Sequence, residues 1–429
     1  MNITIFALGS RGDVQPGIAL AVALQKNGHN ITLCSYATFA NLAAQYNIPF
    51  APMSGDITKI LQSADGQSML RSNNPLKLLR TICNELRENF AVMKEDALRI
   101  IKECNLIISV GVPYYVTTPI AESKGIPHIQ VNLQPLLVTR EFPNALMPPP
   151  FIRNGTVNWL THRVSEQLFW EMLRPFTNQI CIELGLPKRP RLWPISKAVH
   201  SGETVLYAYS RHVVPKPADW PENAHVTGYF FLDSAEQTGD IGWQPQQSLL
   251  DFLDAGPPPV CIGFGSMNTQ SPEETADLAL RALELSGRRG ILLTGWGGLT
   301  AENVPETVYV LERAPHDWLF PHMAAVVHHG GAGTTAAGLR AGIPSILTPF
   351  FADQPFWGHY IEKLGVGPRP VPHKALTASK LAAAMTQAVT DDGMRMRAEE
   401  FGTRIRAENG LQSACDIIEQ KLEIISCSF

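Results

Sequence analysis

The densest chemistry in the chain lies in His328-His329-Gly330-Gly331-Ala332-Gly333-Thr334-Thr335, which follows an apolar run at 324–327 and leads into a helical pattern. Glycines let backbone N–H groups approach an anion, and a helix start adds the positive end of its macrodipole. The stretch therefore reads as a cradle for a diphosphate held without metal. After the next apolar run come Asp353 and Gln354, which offer acceptors and donors to the hydroxyls of a sugar. A glycine-rich strand-to-helix turn also serves plain tight packing in α/β domains. The paired histidines, the paired threonines and the Asp-Gln pair set this stretch apart from that simpler case.

A second glycine loop, Gly9-Ser10-Arg11-Gly12-Asp13-Val14-Gln15-Pro16-Gly17, stands near the N-terminus. Its spacing does not meet GxGxxG, and no acidic residue ends the following strand, which argues against a nicotinamide or flavin site. On the residues alone Asp13 has two readings, a carboxylate that takes up a proton or one that caps a helix. His329 is either a donor to the anion or a buried structural histidine, and His328 reads as structural. Trp296, inside Gly295-Trp296-Gly297-Gly298, is either loop packing or a plate for a ligand.

Two βα series position these loops. The first runs through a strand at 3–8, a helix from about 15 to 26, stopped by Gly28, and a strand at 30–35. Ile82, Leu86, Phe90, Met93, Ala97 and Ile101 then recur at helical spacing before a strand at 106–110. A strand at 226–231 closes this half, and the polar run 232–247 has the composition of a linker. The second series has strands at 259–264, 290–294 and 308–311, a helix at 272–285, then the cradle, a strand at 344–349 and a helix at 354–364. Leu411, Cys415, Ile418, Leu422 and Ile425 share one face of a final amphipathic helix that can brace the first domain. Between 135 and 193 the pattern loosens into Pro-rich and aromatic segments, read as the wall of a binding cleft or as a surface loop packed by its own aromatics.

With 429 residues, two domains of about two hundred residues each are expected. The boundaries are 1–231, a linker at 232–247, 248–405, and a returning helix at 406–429. A net charge of −4 and a pI near 6.3 give no general attraction to nucleic acid or anionic lipid. The seven cysteines are scattered without a CxxC pair, against a disulfide framework or a zinc site, and the reducing cytoplasm is the expected compartment. The N-terminus carries no secretory pattern, and the longest uncharged stretch, Cys104 to Ala121, is broken by Gly111, Pro113 and Pro119, so no transmembrane segment is expected.

The N-terminal loop Gly9 to Pro16, the run Gly263-Phe264-Gly265-Ser266 that opens the second half, and the cradle with its Asp353-Gln354 together resemble the family 1 glycosyltransferases of GT-B fold, in order and across essentially the whole chain. The wording Gly-Ser-Arg-Gly-Asp-Val-Gln-Pro, the run Pro315-His316-Asp317-Trp318-Leu319-Phe320 and Pro349-Phe350-Phe351-Ala352-Asp353-Gln354 are most similar to sterol 3-β-glucosyltransferases. Bacterial aglycone glycosyltransferases share much of the pattern. The fold implied is α/β, two Rossmann-like doubly wound domains facing a central cleft.

The resemblance assigns the donor diphosphate to His329, Gly331, Gly333 and Thr334, with Ser266 beside it, and the sugar hydroxyls to Asp353 and Gln354. It places the nucleoside near Trp296 and 313–316, including His316, and counts Ser10 and Gly12 of the N-terminal loop with the donor set. Asp13 matches the catalytic base. Tyr114, Phe142, Phe151, Trp159 and Trp170 are the acceptor-cleft candidates. Two departures stand out: Ala337 occupies the position of a ribose-gripping glutamate in plant enzymes, and the acidic partner that orients the plant base falls near Ser109 or Val110. An aspartate is ionised at neutral pH without such help.

The implied reaction is a single inverting displacement, with UDP-glucose as donor, no prosthetic group, no metal, and an apolar aglycone as acceptor. Closure of the two domains would exclude water. If the acceptor is a sterol, transient contact with a membrane follows. Nucleic acid is not an expected partner. The alternatives are a natural-product glycosyltransferase using a UDP- or dTDP-sugar, a nucleotide-sugar epimerase, and a non-catalytic nucleotide-sugar-binding protein.

Overall fold

The computed structural model describes residues 1–54, 92–147, 154–234, 243–264, 272–295 and 304–426. The chain divides into two compact units: the first runs Met1–Leu232 and resumes at Asn409, and the second takes up Asp233 and ends at Glu408.

Unit 1 opens with β1 (Asn2–Ala7), α1 (Arg11–Lys26), β2 (Asn30–Tyr36) and β3 (Phe50–Met53), then β4 (Leu106–Val110), α2 (Tyr114–Lys124) and β5 (His128–Asn132). A long helix, α3 (Gly155–Glu183), precedes β6 (Val205–Tyr207) and β7 (Ala224–Val226). Among the described residues the strands form one parallel sheet in the order β3-β2-β1-β4-β5-β6-β7. Strands of such a sheet are covered on both faces, and Ile3, Ile5, Leu33, Ile107, Ile108, Ile129 and Val131 are buried accordingly.

Unit 2 contains β8 (Val260–Gly263), α4 (Pro272–Ser286), β9 (Gly290–Leu293), β10 (Val308–Leu311), β11 (Ala325–His328), α5 (Ala332–Ala341), β12 (Ser345–Leu347) and α6 (Gln354–Leu364). Helices α7 (Ala378–Thr390) and α8 (Asp392–Ala407) complete it. Its described strands are parallel, in the order β10-β9-β8-β11-β12. Both sheets reverse direction of growth beside their first strand, between β1 and β4 and between β8 and β11. That reversal opens a crevice at the carboxyl ends of the strands, where the two glycine loops emerge.

The last helix, α9 (Gly410–Ser426), packs in unit 1, where Ala414, Cys415, Ile418 and Leu422 join the core beneath α1. Gly410 makes this approach possible, because a Cβ there would strike the backbone of Gly228 and Tyr229.

Four expectations change. The strand expected at 226–231 ends at Val226, since Gly228 turns to φ +110° and leaves the extended region. The linker expected at 232–247 is tied down at its start: Ser234 donates through N–H and Oγ to Asp317 at 2.8 and 2.7 Å, and Arg340 pairs with Asp233. Helix α1 begins at Arg11 instead of near 15, because the carbonyl of Ser10 accepts from the amides of Asp13 and Val14. The loosely patterned region 135–193 holds the 29-residue α3, whose polar Asn158, His162 and Thr177 are buried while Leu160 and Leu168 are exposed, an inversion that hides the helical period. Of the helix expected before β4, Met93, Ala97 and Ile101 lie in the core, and Ile82, Leu86 and Phe90 fall outside the described residues.

Candidate active site

The cradle lies where β11 hands over to α5. Gly330 takes φ +95°, and a Cβ there would crowd Leu347 and the backbone oxygen of Gln354, so the loop is pressed against the start of α6. Gly331 is the N-cap of α5, with no side chain capping it, and the first intrahelical bond runs from the Thr335 amide to the Gly331 carbonyl at 3.0 Å. The amides of Ala332, Gly333 and Thr334 therefore project from an uncapped terminus. A Cβ on Gly333 would meet nothing within 4 Å, so this terminus opens outward. A Cβ on Gly331 would come 2.5 Å from His329 Nε2, which places the imidazole directly over the helix start.

Burial pushes the His329 pKa down to about 4, so the ring is neutral near pH 7 and carries one N–H donor. Its Nδ1 is buried without a hydrogen-bond partner among the described residues, as are His328 Nε2 and Thr335 Oγ1. His328 is fully buried, and burial, with the neighbouring His329 and His316, holds its pKa well below the usual range. The Gly330 amide donates to His328 Nδ1 at 3.1 Å, which puts the His328 proton on Nε2. His328 thus braces the glycine turn.

Asp353 and Gln354 sit at the start of α6, after Ala352 in the left-handed region at φ +55°. A non-glycine residue there stores strain that the surrounding structure must hold. The bracing is visible: Gln354 Oε1 accepts from the Phe350 and Phe351 amides at 2.7 and 3.3 Å, and Asp353 Oδ2 accepts from Trp357 Nε1 at 2.8 Å. Gln354 is buried and holds the loop; Asp353 is partly exposed. His316, at the start of the short helix His316–Leu319, stacks on Phe320 at 4.4 Å. Ser266, Trp296 and Phe151 lie outside the described residues.

In unit 1, Asp13 is the third residue of α1 and turns back on the N-cap. Its Oδ2 accepts from the Ser10 amide at 2.8 Å and from Ser10 Oγ at 2.9 Å. Gly9 lies at φ +150°, and a Cβ on it would overlap the Asp13 carboxylate, so this close approach requires glycine. Ser10, expected with the donor set, bonds Asp13, and Gly12 is exposed. The partner that sequence reasoning missed is Ser10; its signal was the Ser-x-x-Asp spacing of a capping box. Ser109 is buried in a separate network, with Thr117 at 2.6 Å and His128 at 3.0 Å.

The acceptor candidates separate. Tyr114 and Trp170 belong to one buried aromatic cluster, Tyr114 donating to Glu203 at 2.8 Å and Trp170 to the Pro190 carbonyl at 3.0 Å. Phe142 is buried beside His162. These three are buried, at 6%, 6% and 1% exposure for Tyr114, Phe142 and Trp170, and their expected acceptor role is not carried forward. Trp159 is only partly buried.

Residues 3–143 match the glycosyltransferase family 28 N-terminal domain, and residues 296–423 match the erythromycin biosynthesis protein CIII-like C-terminal domain. A sterol 3-beta-glucosyltransferase of Arabidopsis thaliana is 34% identical over 98% of this chain and 68% of its own length. An O-mycaminosyltylonolide 6-deoxyallosyltransferase of Streptomyces fradiae is 34% identical over 99% of this chain and 98% of its own. The chain is a family 1 glycosyltransferase.

This glycosyltransferase is a hexosyltransferase by class, and its two parallel-sheet Rossmann-like units are those of the GT-B fold. The crystal structure of the glycotransferase of kitacinnamycin superposes with a TM-score of 0.73 at 19% identity, covering 98% of this chain and 99% of that one. The calicheamicin glycosyltransferase CalG4 gives 0.69 at 15%, covering 98% of each. The chain spans less of some relatives, only 27% of a Cryptococcus neoformans sterol 3-beta-glucosyltransferase that is 34% identical over 99% of this chain. Among the described residues no helix is long and apolar enough to cross a membrane.

Proposed function

We propose that this glycosyltransferase moves glucose from UDP-glucose to a hydroxyl of an apolar alcohol, a sterol or a similar polycyclic or phenolic aglycone, to give a β-glucoside. The observation that carries this reading is the uncapped N-terminus of α5 beneath the neutral His329. There the amides of Gly333 and Thr334, the helix dipole and one imidazole N–H would hold the diphosphate and stabilise the charge it gains on leaving, with no metal. Asp353 would accept from the sugar hydroxyls, and Gln354 would keep its loop in place.

Asp13 is the general base. Its carboxylate takes the proton from the acceptor hydroxyl while that oxygen forms a bond to the sugar C1. The C1–oxygen bond to the diphosphate breaks on the opposite face, UDP leaves, and the anomeric centre inverts. Ser10 fixes the carboxylate for this step through two hydrogen bonds to Oδ2.

The sterol reading draws on the plant and fungal relatives. A natural-product reading with a dTDP-sugar is favoured by the Streptomyces relative, equal in identity and matched over nearly its whole length. Ala337, which packs against the apolar cluster of Leu319 and Phe320, supplies no carboxylate to a ribose. Mass-spectrometric product detection separates the readings, with UDP-glucose and dTDP-glucose each offered a sterol, a flavonoid phenol or no acceptor. A hexose adduct on the sterol from UDP-glucose is expected. Adducts on the phenol alone would move the assignment to natural products, and conversion of the donor without acceptor would point to an epimerase.

A further inference from the structure

The outer face of α3 has no role in the chemistry above. Val157, Leu160, Val164 and Leu168 recur at intervals of three and four residues, which puts them on one narrow stripe of the helix, and each is between 37% and 52% exposed. The opposite face is the buried one, with His162, Trp170 and Leu173. Exposed leucines and valines aligned over three turns are not scattered singles, and such a patch marks a surface that meets something apolar.

Basic and aromatic groups flank the stripe. Residues 140–200 carry eight Arg or Lys against four Glu, in a chain whose net charge is −4. Gln167, one position from Leu168, donates to the Arg191 carbonyl at 3.1 Å, so the segment 188–193 runs alongside the stripe and adds exposed Leu192 to it. Lys188, Arg191 and Lys197 are exposed and form no ion pair among the described residues. The nearby acids are occupied: Glu171 pairs with Arg174 at 2.7 Å, and Glu166 lies 3.6 Å from Arg163 and accepts from the Ser196 amide at 2.9 Å. The Arg163 guanidinium lies over both the Trp159 and Trp193 rings, at 5.3 and 4.7 Å. Trp193 is held in the left-handed backbone region at φ +50° to reach that place.

We propose that this face of α3 docks the enzyme on an anionic phospholipid bilayer. The stripe enters the boundary between headgroups and acyl chains, Trp159 and Trp193 lie at headgroup level, and Lys188, Arg191 and Lys197 meet the lipid phosphates. The inference rests on the apolar acceptor proposed above, because an alcohol of that kind resides in lipid and an enzyme parked there reaches it without drawing it through water.

Co-sedimentation of the full chain with vesicles tests this, using phosphatidylcholine alone and an equimolar mixture with phosphatidylserine. Binding to the mixed vesicles is expected, falling as salt is raised, with little binding to phosphatidylcholine alone. Leu160→Asp with Val164→Asp lowers partitioning by about tenfold or more, the cost of exposing charge where apolar side chains entered. Lys188→Glu with Arg191→Glu lowers it by about fivefold or more per residue, and keeps the test valid if the first pair does not fold by circular dichroism. UDP binding and transfer to a detergent-dispersed sterol stay at the wild-type level in both.

Equal binding to the two vesicle types, or binding unchanged in both double variants, overturns the proposal. So does a concentration-dependent dimer that the apolar pair abolishes, which would give the stripe to a second copy of the chain. Lost docking with transfer intact removes the bilayer and leaves the proposed reaction. Docking without transfer to any acceptor does the reverse.

Discussion

Two helices of this glycosyltransferase start from glycine loops at the carboxyl edge of a parallel sheet, and their N-termini are finished in opposite ways. At α1 the chain supplies its own anion, because Asp13 folds back on Ser10. At α5 no side chain caps the terminus, and three buried polar atoms around it, on His328, His329 and Thr335, lack partners among the described residues. The same secondary structure thus yields a carboxylate held in a fixed place in one unit and an uncapped helix start in the other, the terminus proposed above to take an anion. The difference teaches that glycine-rich loops are told apart by what fills the helix terminus, more than by the glycines themselves.

The comparison breaks most sharply at Asp13. Asp13→Asn keeps the shape and most of the capping while removing the proton acceptor, so kcat is expected to fall by about a hundredfold or more. Steady-state kinetics with saturating donor reads this, and a rate near wild type would leave Asp13 a helix cap alone. His329→Ala strikes the other loop. On the proposed reading it removes a hydrogen bond to the diphosphate and is expected to weaken UDP by roughly tenfold to a hundredfold. Gly331→Ala acts in the same direction, since its Cβ would displace the imidazole from the helix start. A donor affinity unchanged in both variants would assign His329 to packing.

Much of this contrast was legible in the sequence, for a physical reason. Strand and glycine signals are local, so the cradle, its strands and the 354–364 helix could be placed from residue types alone. The capping of Asp13 hangs on whether α1 begins at residue 11 or near 15, and helix boundaries respond to cap geometry that residue spacing only suggests. Residues 135–193 were the least legible. Helix α3 buries Asn158, His162 and Thr177 and displays Leu160, Val164 and Leu168, so its pattern contradicts the usual inside-outside rule. Tyr114, Phe142 and Trp170 looked like cleft walls because aromatics serve cores and pockets alike.

Smaller effects sharpen the account. Ser10→Ala removes the hydroxyl bond to Asp13 and is expected to cost about 1 kcal/mol of stability, measured by urea unfolding. It also leaves the carboxylate less fixed, so kcat should fall more than the donor KM rises.

His162 gives a pH test within α3. Its imidazole is buried and its pKa is lowered to about 4, below the unfolded value near 6.5, so the unfolded chain binds the extra proton between those values. This histidine's contribution is present above pH about 6.5 and is lost as pH falls towards about 4, by at most about 1.4 kcal/mol per pH unit. His162→Gln should flatten that acid limb in unfolding curves, and an unchanged limb would remove His162 from it.

The division of labour between the two loops is the central claim, and calorimetric titration of UDP tests it most directly. Wild type and Asp13→Asn should bind UDP with the same affinity, while His329→Ala binds it at least about tenfold more weakly. Binding lost in Asp13→Asn and kept in His329→Ala would contradict the account, because it would place the nucleotide on the loop that the chain already caps for itself.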